Sequence, residues 1–231
     1  MSIPDPSLLS VNEAAGRLGV SPAAVRQRMA SGRLPATKRG RSWWLDERVV
    51  QRHVRQPTPS GRPLSPSMAW AIILLASGDE AGAKRLAPRE RYPSRMRAWL
   101  EGHPLGEHAS KLRPRAAIED LAGHRSELGR LLARPDVLVT GASAGDVVGL
   151  AGKVPGVEVY APAGHRAAIL SEHALTPASD GLIRIRWVRD ELWPHLHQDR
   201  DRRTPRAAVL LDLLESDDPR ARRESARALA S

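Results

Sequence analysis

The chain has 231 residues, 41% hydrophobic and only 3% aromatic, so the core of one or two domains has to be built mainly from Leu, Val, Ala and six Trp. It contains no cysteine, which excludes disulfide bonds, thiolate metal sites and cysteine nucleophiles. The formal net charge of +10 favours a polyanionic partner.

The N-terminal segment and the apolar runs give no sign of membrane targeting. Residues 1–7 carry Asp5 and two prolines without a basic region, so they do not read as a signal peptide. The longest apolar run, 68–76, has nine residues, whereas a spanning helix needs about 20. We therefore expect a cytoplasmic protein that does not bind membranes.

A first short helix is predicted to begin after Ser10. Ser10 and Glu13 match a capping box, in which each side chain accepts a hydrogen bond from the other residue's backbone N–H. Gly19 ends the helix because glycine tolerates a positive φ. The apolar face at helical spacing consists of Val11, Ala14, Ala15 and Leu18.

A second helix is predicted over residues 22–30, after a tight turn. Ser21 is its N-cap, and Pro22 occupies the first helical position, where its missing N–H costs nothing. Val25 and Met29 face inward, four residues apart. Two helices joined by a short turn with glycine form the motif that places its second helix in the major groove of duplex DNA.

A two-stranded wing is predicted over residues 36–45, with Gly40 at its tip. Successive strand residues face opposite ways, so we expect one of Trp43 and Trp44 to pack on the helices. Asp46 then caps a third helix. Its inward residues are predicted to be Val49, Val50 and Val54.

The second helix and the wing supply the candidate DNA contacts. Arg26 can read guanine and Gln27 adenine by paired hydrogen bonds, and alanine can contact a thymine methyl group. Arg28, Arg33 and the wing cations are better suited to phosphates, which position a protein without specifying sequence. The predicted contact set is Ser21, Ala23, Ala24, Arg26, Gln27, Arg28, Arg33, Lys38, Arg39 and Arg41.

The run LSVNEAAGRLGVSPAAVRQRMASGRLPATKRGRSWWL resembles the small helix-turn-helix of the excisionase and MerR-like group. The resemblance implies a winged helix-turn-helix DNA-binding domain over residues 1–56. Charge agrees with this placement: residues 1–67 hold 11 basic and 4 acidic side chains, while the remaining 164 residues hold 25 and 22.

A proline-rich linker is predicted over 57–66, followed by an α+β domain over 67–231 that is rich in helices around a small sheet. Both predictions rest on local pattern. Helices are predicted over 68–77, 88–101, 111–132 (one or two), 164–175, 205–215 and 219–229, and strands over 137–139, 157–160 and 183–188.

No catalytic, metal or cofactor site can be assembled from the second region. The run TGASAG at 140–145 follows a strand, but its glycines do not match a dinucleotide loop, so we expect a tight strand-to-helix turn. His195, His197 and Asp199 read as a solvated loop, and Asp217 and Asp218 as a helix cap. We therefore expect no metal, no cofactor and no enzymatic activity.

The second region resembles actinobacterial helix-turn-helix regulators of the abortive-infection type, which act as type IV antitoxins. The shared segments are PSMAWA at 66–71, LVTGASA at 138–144, EVYAP at 158–162 and LDLLESDDPR at 211–220. The resemblance implies an N-terminal domain that represses its own operon and a C-terminal domain that serves antitoxicity. It also implies a nucleotidyltransferase-like toxin as partner.

Three functions compete at this point. The first is a sequence-specific DNA-binding regulator, the autorepressing antitoxin of a toxin–antitoxin pair. The second is an excisionase-like recombination directionality factor, and the third is an enzyme targeted to DNA. A single small helix-turn-helix reads few base pairs, so we expect a homodimer or paired binding on the operator DNA.

Overall fold

The computed structural model describes residues 8–30, 34–54, 64–87, 92–102, 104–149, 156–178, 181–196 and 204–230. The chain divides into two compact units, residues 1–58 and 59–231. Each unit combines helices with one small sheet, which confirms the predicted α+β class. Within the described ranges, no helix has the length and apolar character needed to cross a membrane.

The first unit is a winged helix-turn-helix. Its elements in chain order are β1 (Leu8–Ser10), α1 (Val11–Leu18), α2 (Pro22–Ala30), β2 (Thr37–Arg39), β3 (Ser42–Asp46) and α3 (Glu47–Val54). The three strands form an antiparallel sheet in the order β1-β3-β2. The local pattern did not predict β1, because three residues carry too weak a signal on their own; pairing with β3 places Leu9 opposite Leu45.

Helix α1 has the predicted caps at both of its ends. Ser10 Oγ accepts from the backbone N–H of Glu13 at 3.3 Å, and Glu13 Oε2 accepts from the N–H of Ser10 at 2.7 Å. Gly19 adopts φ 63°, and its N–H donates to the carbonyls of Ala15 and Gly16. Only a glycine takes up this left-handed conformation without strain, so the end of α1 is encoded locally.

The core of the first unit lies between the sheet and the three helices. Val25, Leu45 and Val50 are fully buried. The prediction for Val54 is wrong: it is 44% exposed, because it is the last residue of α3 and extends beyond the apolar cluster. The buried cluster consists of Leu9, Ala14, Ala15, Val25, Leu34, Leu45, Val49 and Val50.

In the described ranges, the second unit places a mixed sheet among eight α-helices and four 3-10 stretches. Its helices are α4 (Pro66–Ala76), α5 (Glu80–Leu86), α6 (Tyr92–Gly102), α7 (Arg125–Ala133), α8 (Arg166–Glu172), α9 (Trp193–Leu196), α10 (Arg206–Leu214) and α11 (Pro219–Ala230). Its strands are β4 (Ala117–Ala122), β5 (Leu138–Val139), β6 (Val157–Pro162), β7 (Thr176–Pro177) and β8 (Ile183–Val188). Helix α4 takes in Pro66, which the sequence assigns to the end of the linker, and Ser65 caps it.

The sheet has the strand order β5-β6-β8-β4-β7, with β6 and β8 parallel and the other pairs antiparallel. The helical prediction over 111–132 is wrong for 117–122, which forms β4 between β8 and β7. This segment contains Ala, Glu and Leu, which favour helices, but pairing with two neighbouring strands overrides that weak preference. Buried apolar clusters lie on both faces of the sheet, one with α7 and α8 and the other with α4 and α10.

A cluster of buried polar side chains fixes α10 to the sheet. Asp212 is at its centre and is fully buried. Its Oδ1 accepts from Arg115 NH2 at 2.6 Å and from Tyr160 OH at 2.9 Å, and its Oδ2 accepts from Thr140 Oγ1. Arg186 lies 3.2 Å from the same carboxylate. We call these five residues, together with Glu215, the buried charge cluster.

Charges inside this cluster compensate one another. Burial alone would lower the pKa of Arg115 and Arg186, but the carboxylates of Glu215 and Asp212 beside them raise both values. Burial alone would raise the pKa of Glu215, but Arg115 and Arg186 lower it to about 2. Burial raises the pKa of Tyr160, so it remains a neutral donor. Arg115, Arg186 and Glu215 therefore stay ionised around neutral pH, as paired charges within the fold.

Candidate nucleic-acid interface

Helix α2 presents the predicted reading residues on its exposed side. The Ser21 hydroxyl accepts from the N–H of Ala24 at 3.2 Å and starts the helix, and Val25 anchors the opposite side in the core. Arg26 and Gln27 follow immediately and are exposed. The other predicted residues at this end differ in exposure: Ser21 and Ala23 are exposed, and Ala24 is half-buried.

The wing gathers the three predicted cations onto one hairpin. Strands β2 and β3 meet at Gly40, whose φ is 63°. Lys38, Arg39 and Arg41 are all exposed. No acidic residue lies between Pro22 and Ser42, so nothing on α2 or the wing neutralises these cations along the chain. Such a charge set can engage several phosphates at once.

Two predicted phosphate contacts stand apart from this set. Arg28 is half-buried, and its backbone carbonyl accepts from the N–H of Leu34 at 3.1 Å. This backbone hydrogen bond fixes the chain that leaves α2. Contact of the Arg28 side chain with DNA stays a prediction. Arg33 lies outside the described residues.

Each acidic side chain in the described part of the first unit has a structural partner. Glu13 completes the capping box, and the N–H of Ser10 lowers its pKa. Asp46 accepts from the N–H of Arg48 at 2.7 Å at the start of α3, as predicted. Glu47 pairs with Arg17, which ties α3 to α1. Because these carboxylates are paired within the fold, they do not neutralise the cations of α2 and the wing. The electrostatic potential at that surface therefore stays positive.

The tryptophans of the wing are arranged differently from the prediction. Leu45, and neither tryptophan, is the fully buried residue of β3. Trp44 is half-buried on the opposite face of the strand, where it pairs with Ser10 and Thr37. Trp43 is 43% exposed, beside the wing cations. The predicted contact set does not include Trp43.

The glycine-rich turn of the second unit has a role within the fold. Residues Gly141–Val148 form two short 3-10 segments with a kink at Ala144 after β5, in agreement with the predicted tight turn. Gly141 has φ 55°, and a Cβ atom there would lie 2.4 Å from the Glu158 carboxylate. Thr140 belongs to the buried charge cluster. Close packing and a positive φ therefore explain this glycine.

Asp218 and His195 belong to two further polar motifs of the second unit, and both lie at or within a helix. Asp218 Oδ1 accepts from the N–H of Arg220 at 2.8 Å, so it caps α11 as predicted, with Pro219 in the first position. His195 lies in α9 and is half-buried, so the prediction of a solvated loop is wrong for this residue, because packing of the short helix covers it. His197 and Asp199 lie outside the described residues. Among the residues that the structure does describe, no three His, Asp or Glu side chains are arranged to hold a metal ion.

Comparison with known proteins bears on the first unit. Residues 8–57 match the family model of a helix-turn-helix domain. No curated protein and no solved structure matches the chain. The match covers all six elements of the first unit, from β1 to α3. The capped turn, the exposed side of α2, the basic wing and this match identify residues 8–57 as a helix-turn-helix domain, which supports a DNA-binding regulator.

Proposed function

We propose that this protein is a sequence-specific repressor of its own operon and the antitoxin of a toxin–antitoxin pair. The observation that carries the DNA-binding part is the combination of an exposed Arg26–Gln27 pair on α2 with three exposed cations on the wing. Both are held on one small core. The antitoxin part is supported by the resemblance of the second region to type IV antitoxins.

In this proposal, helix α2 contacts the bases and the wing contacts the phosphates. The exposed N-terminal half of α2 enters the major groove, where Arg26 reads a guanine and Gln27 an adenine. The wing cations bind phosphates on the flanking backbone and fix the register. A second copy on a neighbouring half-site supplies the specificity that one small domain lacks. Partner binding and antitoxicity belong to the second unit, for which we propose no catalytic role.

Replacing Arg26 with alanine should relax base preference. The variant loses a pair of hydrogen bonds to one base. The free energy of binding to the preferred site should therefore become less favourable by about 1–3 kcal/mol, while binding to scrambled duplex changes little. Selection from a random duplex library gives the preferred site, and fluorescence anisotropy then gives both affinities. Arg48→Ala is the matched control, because Arg48 is an exposed arginine of the same unit outside α2 and the wing. An unchanged affinity ratio in Arg26→Ala would contradict base reading by this residue.

The antitoxin proposal is tested with the product of the adjoining gene. We expect a nucleotidyltransferase-like protein that arrests growth when expressed alone, and we expect co-expression of the full chain to restore growth. A variant with alanine at Lys38, Arg39 and Arg41 should still restore growth, because antitoxicity is assigned to the second unit. The same variant should no longer repress a reporter driven by the operon promoter.

Two results would count against this proposal. Growth arrest that persists on co-expression would remove the antitoxin role while leaving DNA binding intact. An adjoining integrase gene, with stimulation of excision by this chain, would instead favour a recombination directionality factor.

A further inference from the structure

Trp43 is an exposed aromatic side chain on the most basic part of the first unit. It is one of three large apolar side chains that are well exposed in the described ranges, the others being Val54 and Ile118. A single exposed apolar side chain is ordinary on a protein surface. An indole among several cations differs, because it offers a large apolar contact area to any partner that those cations attract. Neither Val54 nor Ile118 lies on the wing.

The strand register shows which way Trp43 faces. Trp43 and Leu45 are two residues apart on β3 and so lie on the same face of the sheet. Lys38 lies directly opposite Trp43 on β2 and shares this face. Leu45 is fully buried against the helices, whereas Trp43, nearer the tip, is not. The indole therefore extends the apolar face of the sheet beyond the core, towards the wing tip.

Lys38 is the cation nearest to this indole across the hairpin. Its Nζ lies 6.0 Å from the centre of the Trp43 ring, at the outer limit for a cation–π contact. The other two wing cations, Arg39 and Arg41, flank the tip on either side of Gly40. A partner that meets this surface has to offer several anions around an apolar patch. The backbone of duplex DNA has that chemistry, because each deoxyribose presents apolar carbons between two phosphates.

We propose that Trp43 is a DNA contact of the wing, with its indole packed on a deoxyribose between phosphates bound by the wing cations. This inference rests on the proposed DNA-binding function and adds an uncharged contact to it. Lys38 then has two roles, binding phosphate and orienting the ring. The contact is insensitive to sequence, because every nucleotide carries the same sugar.

The test compares Trp43→Ala with the matched control Val54→Ala, which shortens an equally exposed apolar side chain of the same unit. Trp43→Ala should weaken binding to specific and scrambled duplex alike, by roughly fivefold to tenfold. Because no charge is lost, the slope of log K against log salt should stay unchanged, whereas Lys38→Ala should lower it by about one. Val54→Ala should bind as the wild type does.

A fluorescence measurement provides a second readout. The variant Trp43→Phe keeps an aromatic ring but loses the exposed indole, so the change in tryptophan emission that accompanies duplex binding should largely disappear while most of the affinity remains. Thermal melting followed by circular dichroism should give the same transition for Trp43→Ala, Trp43→Phe and Val54→Ala. Neither Trp43 nor Val54 belongs to the buried apolar cluster of the first unit.

The outcomes separate this inference from the function on which it rests. If the wild-type chain binds no duplex, the proposed function fails. If the wild type binds and Trp43→Ala binds equally well, the contact is absent and the inference is overturned. A salt slope lowered by about one in Trp43→Ala would also overturn it, because Trp43 would then act only by positioning Lys38.

Discussion

Replacing Lys38, Arg39 and Arg41 together with alanine should reduce affinity for any duplex by up to roughly a thousandfold near 0.1 M salt and flatten the salt slope by up to about three. Each cation that neutralises a phosphate releases counterions, and this release is the main source of affinity that does not depend on sequence. All three side chains are exposed on one hairpin, and no acidic residue lies nearby in the chain. The measurement is a titration of labelled duplex by fluorescence anisotropy at several salt concentrations.

The matched control removes the same number of positive charges from another surface. Arg220, Arg223 and Arg227 are exposed on α11 of the second unit, and their replacement by alanine changes the net charge equally. This control should lose far less affinity and keep the slope of the wild type. Equal losses in the two triple variants would mean that net charge, and not the wing, drives binding. A wing variant that kept the full slope would contradict phosphate binding by these residues.

Replacing Asp212 with alanine should destabilise the second unit by about 3–5 kcal/mol, because removal of one partner leaves buried charge uncompensated. The side chains of Arg115 and Arg186 are 2% and 1% exposed, and two carboxylates, Asp212 and Glu215, contact both of them, so loss of Asp212 leaves an excess of buried positive charge. Tyr160 and Thr140 would also lose the acceptor for their hydroxyl groups. Chemical unfolding, followed by the fluorescence of Trp70 and the other tryptophans, gives the free energy of unfolding.

Two further variants make this result specific. Glu191→Ala removes a carboxylate that is 67% exposed and 3.7 Å from Arg189, and it should change the free energy of unfolding by less than about 1 kcal/mol. Asp212→Asn keeps the shape and an acceptor but removes the charge, so it should fall between the wild type and Asp212→Ala. If the free energy of unfolding of Asp212→Ala equals that of the wild type, the buried charge cluster does not stabilise the fold.

The helix-turn-helix was predictable because its signals are local. The capping box spans Ser10 to Glu13, Gly19 ends α1 through its own φ, and Gly40 turns the wing. Each of these devices acts within four residues along the chain, so the order of residues is sufficient to indicate it. The exposed side of α2 followed from helical periodicity once Val25 was assigned to the core.

Contacts between distant residues could not be predicted in the same way. Segment 117–122 reads as helix from its composition, and only pairing with β8 and β7 makes it a strand. Trp43 and Trp44 look equivalent in the sequence. The register with β1 and β2 determines that Leu45 is buried, that Trp44 lies on the opposite face, and that Trp43 faces solvent beside Lys38.

The sequence by itself determined that the chain begins with a small basic DNA-binding module and continues into a separate α+β region, because caps, turns and charge are read from neighbouring residues. Only the tertiary structure decided what holds the second unit together. Arg115 and Asp212 are 97 residues apart in the chain, and nothing local marks either as buried. A charge is stable in a core only when its partners converge on it, and that convergence is a property of the fold.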